Sequence, residues 1–329
     1  MKPFAYSRAT QAAAAVRQVS NEQSAKFIAG GTNLLDLMKS GVELPDRLVD
    51  IARLPLAEIT ALPQGGVRLG AMARNSTAAN HPLVRERYPV LTQAFLAGAT
   101  GQIRNMASVG GNLMQRTRCP YFYDPAMRCN KREPGSGCSA VEGFNRIHAV
   151  LGASEQCIAV HPSDMCVALA ALDAVVRVQG PEGEREIPFD DFHRLPGDTP
   201  QQDTNLRHGE LITAVDLPAL PSAKRSHYLK VRDRASYEFA LVSVAAVLDV
   251  SGGRVRDARV ALGGVAHKPW RAREAEKILA GAKPDEETYR KAAEAALGGA
   301  RGYKHNTFKI ELAKRAIVRA LSTAGGSGA

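Results

Sequence analysis

Four of the chain's five cysteines, Cys119, Cys129, Cys138 and Cys157, fall in one stretch punctuated by glycine and proline that starts directly after a Gly-Gly turn. Such a segment does not run on as a helix or a strand, so its thiols must be gathered by an irregular folded loop. Nine, eight and eighteen residues separate successive cysteines. Structural zinc sites usually draw thiolates from pairs about two to four residues apart, closer than any spacing here. Four cysteines also permit two disulfides in any of three pairings, which suits an exported protein. An iron-sulfur cluster held by four thiolates accepts the wide spacing and implies redox chemistry. Spacing alone leaves cluster, zinc and disulfides open. The fifth cysteine, Cys166, lies in Ser163 to Leu172, where cap-like residues lead into an almost wholly apolar helix. A buried, inert thiol is expected there.

Two glycine turns flank this loop on its N-terminal side. In Ala29-Gly30-Gly31-Thr32-Asn33-Leu34 the paired glycines let the backbone approach a ligand. The amides that follow open a helix, where the dipole favours an anion such as a pyrophosphate. The full G-x-G-x-x-G is lacking, and a Gly-Gly before a helix is also an ordinary tight turn. About eighty residues on, Ile103 to Leu113 repeats the pattern with Ser108, Gly110, Gly111 and Asn112, whose hydroxyl and amide groups suit phosphate oxygens. Two such turns are placed to grip one dinucleotide from opposite sides. Asp164, just after the cysteine loop, suits a ribose hydroxyl, although Ser163-Asp164 also reads as a helix cap.

Organisation follows from the periodic segments. A helix from Ala12 to Val19, a strand from Lys26 to Ala29, a helix from Asn33 to Ser40 and a strand from Arg47 to Ile51 make a first unit ending near residue 62. A middle part, 63–221, holds the second turn, the cysteine insert at 115–160, the apolar helix and strands at Ala174–Val178 and Leu211–Leu217. The proline-rich Leu217 to Pro221 closes it. Residues 222–329 carry strands at Ala240–Val250 and Arg256–Leu262 and helices at Ala272–Ala280, Glu286–Ala296 and Phe308–Leu321, with a disordered Gly325–Ala329 end. No run is long enough to cross a bilayer, so no membrane partner is expected. The net charge of +10 invites nucleic acid, but acidic residues are interspersed and aromatics make up only 5%. Nucleic acid is therefore not an expected partner. An acidic partner subunit or a cofactor's phosphates explain the charge equally well.

Lys26 to Leu34, Ile103 to Leu113 and His161-Pro162-Ser163-Asp164 resemble the FAD-binding motifs of the flavoprotein subunit of the xanthine dehydrogenase family. The cysteine insert, from Gln115-Arg116-Thr117-Arg118-Cys119-Pro120 to Cys129-Asn130-Lys131-Arg132 and Pro134-Gly135-Ser136-Gly137-Cys138, resembles the branch containing the FAD-binding subunits of bacterial periplasmic aldehyde oxidoreductases. The likeness extends through Tyr228 to Tyr237 and Ala261 to Trp270, and so covers nearly the whole chain. It implies an α+β fold: a two-lobed FAD-binding domain of the PCMH type with an iron-sulfur insert, then a smaller C-terminal α/β domain. FAD contacts are implied at Lys26, Phe27, Ile28, Ala29, Gly30, Gly31, Thr32, Asn33, Leu34, Ser108, Gly111, Asn112 and Asp164. Ile212 matches a backbone contact near the flavin, and Lys230 a lysine close to its ring. Cys119, Cys129, Cys138 and Cys157 match the ligands of a [4Fe-4S] cluster, while Cys166 matches none.

No molybdenum-cofactor motif and no nucleophile with a positioned base is evident, so no catalytic residue is assigned. The resemblance implies a heterotrimer in which a large molybdenum subunit oxidises the substrate and a small [2Fe-2S] subunit delivers electrons to FAD here, for an external acceptor. Two other readings stand beside it: a self-sufficient flavoenzyme, and a basic, zinc-stabilised binding module. The N-terminal MKPFAYSRATQAAAAVRQ does not read as an export signal. A periplasmic location is then expected through co-export with a signal-bearing partner, with the cytoplasm as the alternative.

Overall fold

The structure is a computed structural model that describes residues 1–326. Of the expected disordered end, Ser327 to Ala329 lie outside the described residues. Strands β1 (Ala5–Arg8), β2 (Ala25–Ile28) and β3 (Arg47–Asp50) form a parallel sheet in the order β1-β3-β2. Helices Ala12–Ser20 and Leu34–Lys39 supply the crossovers that parallel pairing needs. Ala15, Val16 and Val19 form the buried face of the first helix, at the spacing that marked it as amphipathic. The short β1 escaped sequence reading because its side chains are mostly exposed and show no alternation.

The second lobe is an antiparallel sheet of β4 (Ile59–Ala61), β5 (Val67–Gly70), β6 (Val175–Gly180), β7 (Gly183–Pro188) and β8 (Leu211–Leu217), ordered β4-β5-β8-β6-β7. Helices Asn75–Asn80, Pro82–Arg87 and Pro89–Ala97 were not anticipated. Pro82 and Pro89 stand at helix starts, where their missing N–H costs nothing, yet they interrupt the periodicity that signals a helix. The helix Asp164–Ala171 is buried along its whole length, as its apolar sequence requires.

The third sheet runs β12-β11-β10-β9, all antiparallel, from β9 (Ser226–Val231), β10 (Val242–Ser251), β11 (Arg254–Gly263) and β12 (Trp270–Arg271). Side chains alternate across a strand, and on β10 the alternation sorts residues into two cores. Val242, Val244, Ala246 and Leu248 pack with helices Arg273–Leu279, Glu286–Ala296 and Phe308–Ala324. Ala245 and Val247 join the core shared by the two N-terminal lobes. The sheet is therefore covered on both faces and joins the parts of the chain. The cysteine insert builds a third, separate core from Leu37, Cys119, Phe122, Cys129, Ala140, Cys157, Ile158 and Ala159.

Candidate functional site

The two glycine turns abut. A Cβ on Gly30 would lie 2.0 Å from the Met106 carbonyl oxygen, so only glycine lets the second turn approach the first. Gly31 has φ +72°, the left-handed region that glycine enters without strain. The resulting cleft, about 730 Å³, is lined by Lys26 through Leu34, Ser108, Gly111 and Ile212. A second cleft of about 390 Å³ is lined by Asn112, Asp164 and Lys230. Thr32, Asn33, Gly111 and Gln115 line both, so the two run together. Every residue to which the resemblance assigned an FAD contact lines one or the other. Ile212 and Lys230, both matched to contacts near the flavin, line different clefts. An extended ligand with a phosphate-rich middle fits this shape, its centre at the shared glycine turns.

Within the clefts several groups are already engaged. The Ser108 hydroxyl accepts from Gly111 N at 3.2 Å, leaving its own proton to donate. The Asn112 side-chain oxygen accepts from Ser163 at 2.8 Å and from Gln115, which turns the amide N–H groups toward other partners. Ser163, not Asp164, caps the apolar helix, through a 3.1 Å bond from Cys166 N. Asp164 is thereby freed for a buried cluster. It accepts from Tyr228 at 2.6 Å and from Lys230 at 2.8 Å, and Lys230 also donates to the Ala97 carbonyl at 3.1 Å. Burial, with Asp164 beside it, holds the Tyr228 phenol well above its usual range, so it stays a donor.

The four cysteines converge on the separate core, three of them buried and Cys138 half-buried, and all are free thiols. Cys129 and Cys138 face each other in an isolated antiparallel bridge. Burial, with the neighbouring cysteines adding to it, pushes the Cys119 thiol up to about 12 and Cys157 to about 11. Bare thiolates are thus disfavoured here, and bound metal would supply the missing positive charge. A tetrahedral zinc site requires sulfurs about 3.8 Å apart, from Zn–S bonds near 2.3 Å. Among the described residues, the one group of candidate ligands whose donor atoms all lie within 4.8 Å of one another is His161, Cys166 and His193; the four cysteines do not close that tightly. Cys166 itself is fully buried and pushed to about 12 by burial, in line with the inert thiol expected.

Sequence reasoning missed the polar shell around this loop. His148, buried and lowered to about 4 by desolvation, sits 3.1 Å from Cys119 Sγ; as a neutral ring it can donate to sulfur. Lys131 is 2% exposed and donates to Asp203 and to the Pro200 carbonyl, the latter at 2.6 Å. Asp203 also pairs with Arg116 at 2.7 Å and is held well below the usual carboxylate range by Lys131 and then Arg116, which together outweigh its burial. Lys131 lay within the Cys129 to Arg132 motif, but nothing local linked it to Asp203, 72 positions away.

Residues 2–220 match the family model described as the FAD binding domain in molybdopterin dehydrogenase, and residues 227–324 match the CO dehydrogenase flavoprotein C-terminal domain. The chain is therefore a flavoprotein subunit of the molybdopterin-dependent oxidoreductases, with the α+β architecture of that group. More particularly, it belongs to the FAD-binding subunits of the molybdenum hydroxylase family. It is 52% identical over 326 residues, 98% of this chain and 99% of the relative, to the aldehyde oxidoreductase FAD-binding subunit PaoB of Escherichia coli. It is 30% identical to the glyceraldehyde dehydrogenase medium chain of Sulfolobus acidocaldarius, over 85% of this chain and 82% of that one. Carbon monoxide dehydrogenase from Hydrogenophaga pseudoflava superposes with a TM-score of 0.78 at 26% identity, covering 100% of both chains.

Proposed function

We propose that this chain is the FAD- and [4Fe-4S]-bearing electron-transfer subunit of a molybdenum-dependent aldehyde oxidoreductase. The observation that supports it most is the continuous double cleft, lined by all the FAD-matched residues and set against a loop holding four free cysteines. Aldehyde as the substrate class rests on the likeness to PaoB. The partners are a large molybdenum subunit, which carries out substrate oxidation, and a small [2Fe-2S] subunit, which supplies electrons. An external acceptor removes them.

Bound FAD supplies the exchange of one electron with iron-sulfur centres and of two with an acceptor. The chain's own residues position it. Lys26 to Leu34, Ser108 and Gly111 would wrap the pyrophosphate, Asn112 would offer amide donors, and Ile212 would close the larger cleft by its backbone. Lys230 places a cation in the second cleft, where it stabilises negative charge on the flavin ring, and Asp164 holds that lysine while offering a lone pair to a hydroxyl. Cys119, Cys129, Cys138 and Cys157 hold the cluster, with His148 donating to one sulfur. Export to the periplasm occurs with a signal-bearing partner subunit, the cytoplasm being the alternative location.

Affinity purification of the tagged chain from its native cells tests the assembly. Two further chains, one with molybdenum and one with [2Fe-2S] centres, are expected in equal amounts with aldehyde-dependent reduction of a dye. A chain that elutes alone and turns over an aldehyde unaided would overturn the reading.

A further inference from the structure

We infer that the cysteine insert is the floor on which the FAD loop rests, so that cluster assembly and FAD binding strengthen each other. The inference depends on the proposed pair of cofactors and adds an energetic link between their sites. Two sets of contacts, meeting at Arg116, carry it.

The first is direct docking of the FAD loop on the insert. Leu37, three residues beyond the glycine loop, is 1% exposed and packs in the same core as Cys119, Cys129 and Cys157. Arg116 N donates to Asn33 Oδ1 at 2.8 Å, and the Asn33 amide donates to the Tyr123 hydroxyl at 3.3 Å. Tyr123 OH and Arg118 both donate to Asp36, at 2.9 and 3.0 Å. The limb of the insert that leads into Cys119 is therefore bonded to the loop and helix that shape the first cleft.

The second is a chain of ion pairs. Lys26 pairs with Glu43 at 2.7 Å, Glu43 with Arg116 at 2.7 Å, Arg116 with Asp203 at 2.7 Å, and Asp203 with Lys131. It starts on the FAD loop and ends on a buried lysine two residues from Cys129. Three cations and two anions leave the chain one positive charge in excess. An iron-sulfur cluster with four thiolates is an anion and offsets that excess. Without it, the excess is left uncompensated, and the Arg116 and Asn33 contacts loosen with it. A contiguous two-ended network of this kind transmits binding energy in both directions, because linkage is reciprocal.

The test uses the full chain. The Kd for FAD is measured by fluorescence quenching in three states: as isolated with cluster, after oxidative removal of iron with a chelator, and after reconstitution with iron and sulfide. We expect removal to weaken FAD binding about tenfold and reconstitution to restore it, in the usual range of coupling between sites. Lys131→Met, which lines neither cleft, should weaken FAD binding in the cluster-bearing chain and add nothing in the cluster-free chain. Equal Kd values in all three states, or a Lys131→Met effect that persists without the cluster, overturn the coupling while leaving both cofactors in place. A chain isolated without iron overturns the cluster assignment itself, and the coupling with it.

Discussion

The Lys230–Asp164 pair offers a severe test of how the second cleft is built. Lys230→Met keeps the length and most of the apolar stem but removes a cation whose side chain is 4% exposed, 2.8 Å from a carboxylate that is 8% exposed. The variant gives up the charge-assisted bond to Asp164 and the bond to Ala97 O, and leaves the Asp164 side chain with Tyr228 as its remaining donor among the described residues. Removing one partner of a buried pair costs about 3–5 kcal/mol, and the surviving Tyr228 bond points to the lower end. A loss of about 3 kcal/mol lowers the unfolding midpoint by about 6–12 °C in a domain of this size. The double variant Lys230→Met/Asp164→Asn removes both charges and should recover more than half of that, since the uncompensated carboxylate is the main cost. Thermal unfolding of wild type, Lys230→Met, Asp164→Asn and the double variant, followed by circular dichroism without added FAD, closes the cycle. Single and double variants equally destabilised, or a single variant within about 1 °C of wild type, would refute the buried-pair argument.

Further outcomes follow from the same geometry. Lys230→Ala should also lower the midpoint potential of bound flavin, measured by dye-coupled titration; an unchanged or higher potential contradicts the electrostatic role given to the lysine. Gly30→Ala drives a methyl group into the Met106 carbonyl and parts the two turns, so FAD should be lost from a chain that still folds, as read by flavin content and circular dichroism. Cys129→Ser should lose iron and labile sulfide, and a full iron complement refutes that ligand. His193 and His267 are each lowered to about 4 by burial, so both stay neutral when folded and protonate more readily when unfolded. Stability should be full above about pH 6.5 and fall as pH drops toward 4, by about 1.4 kcal/mol per unit for each histidine. Urea midpoints at pH 7 and pH 5 check this, and His193→Gln should reduce the slope.

What the sequence disclosed was the local chemistry. The glycine turns, the apolar helix and the cysteine loop each announced themselves through residue type and short-range spacing. The helices between Asn75 and Ala97 were hidden by prolines that are harmless at helix starts. The ion-pair chain was hidden for a different reason: nothing local links Lys26, Glu43, Arg116, Asp203 and Lys131, which only folding brings together. Likewise Ser163-Asp164 read as one cap, whereas Ser163 alone takes the capping bond and Asp164 turns to Tyr228 and Lys230. Long-range pairing leaves no periodic trace in one sequence.

A [4Fe-4S] cluster in the insert beside bound FAD is tested most directly by counting cofactors. Flavin, iron, zinc and acid-labile sulfide are to be counted on the anaerobically purified chain, next to a variant with Cys119, Cys129, Cys138 and Cys157 all changed to serine. About one FAD with about four iron and four sulfide per wild-type chain is expected, with iron and sulfide absent from the variant. Zinc in place of iron, or iron retained without those four cysteines, contradicts it.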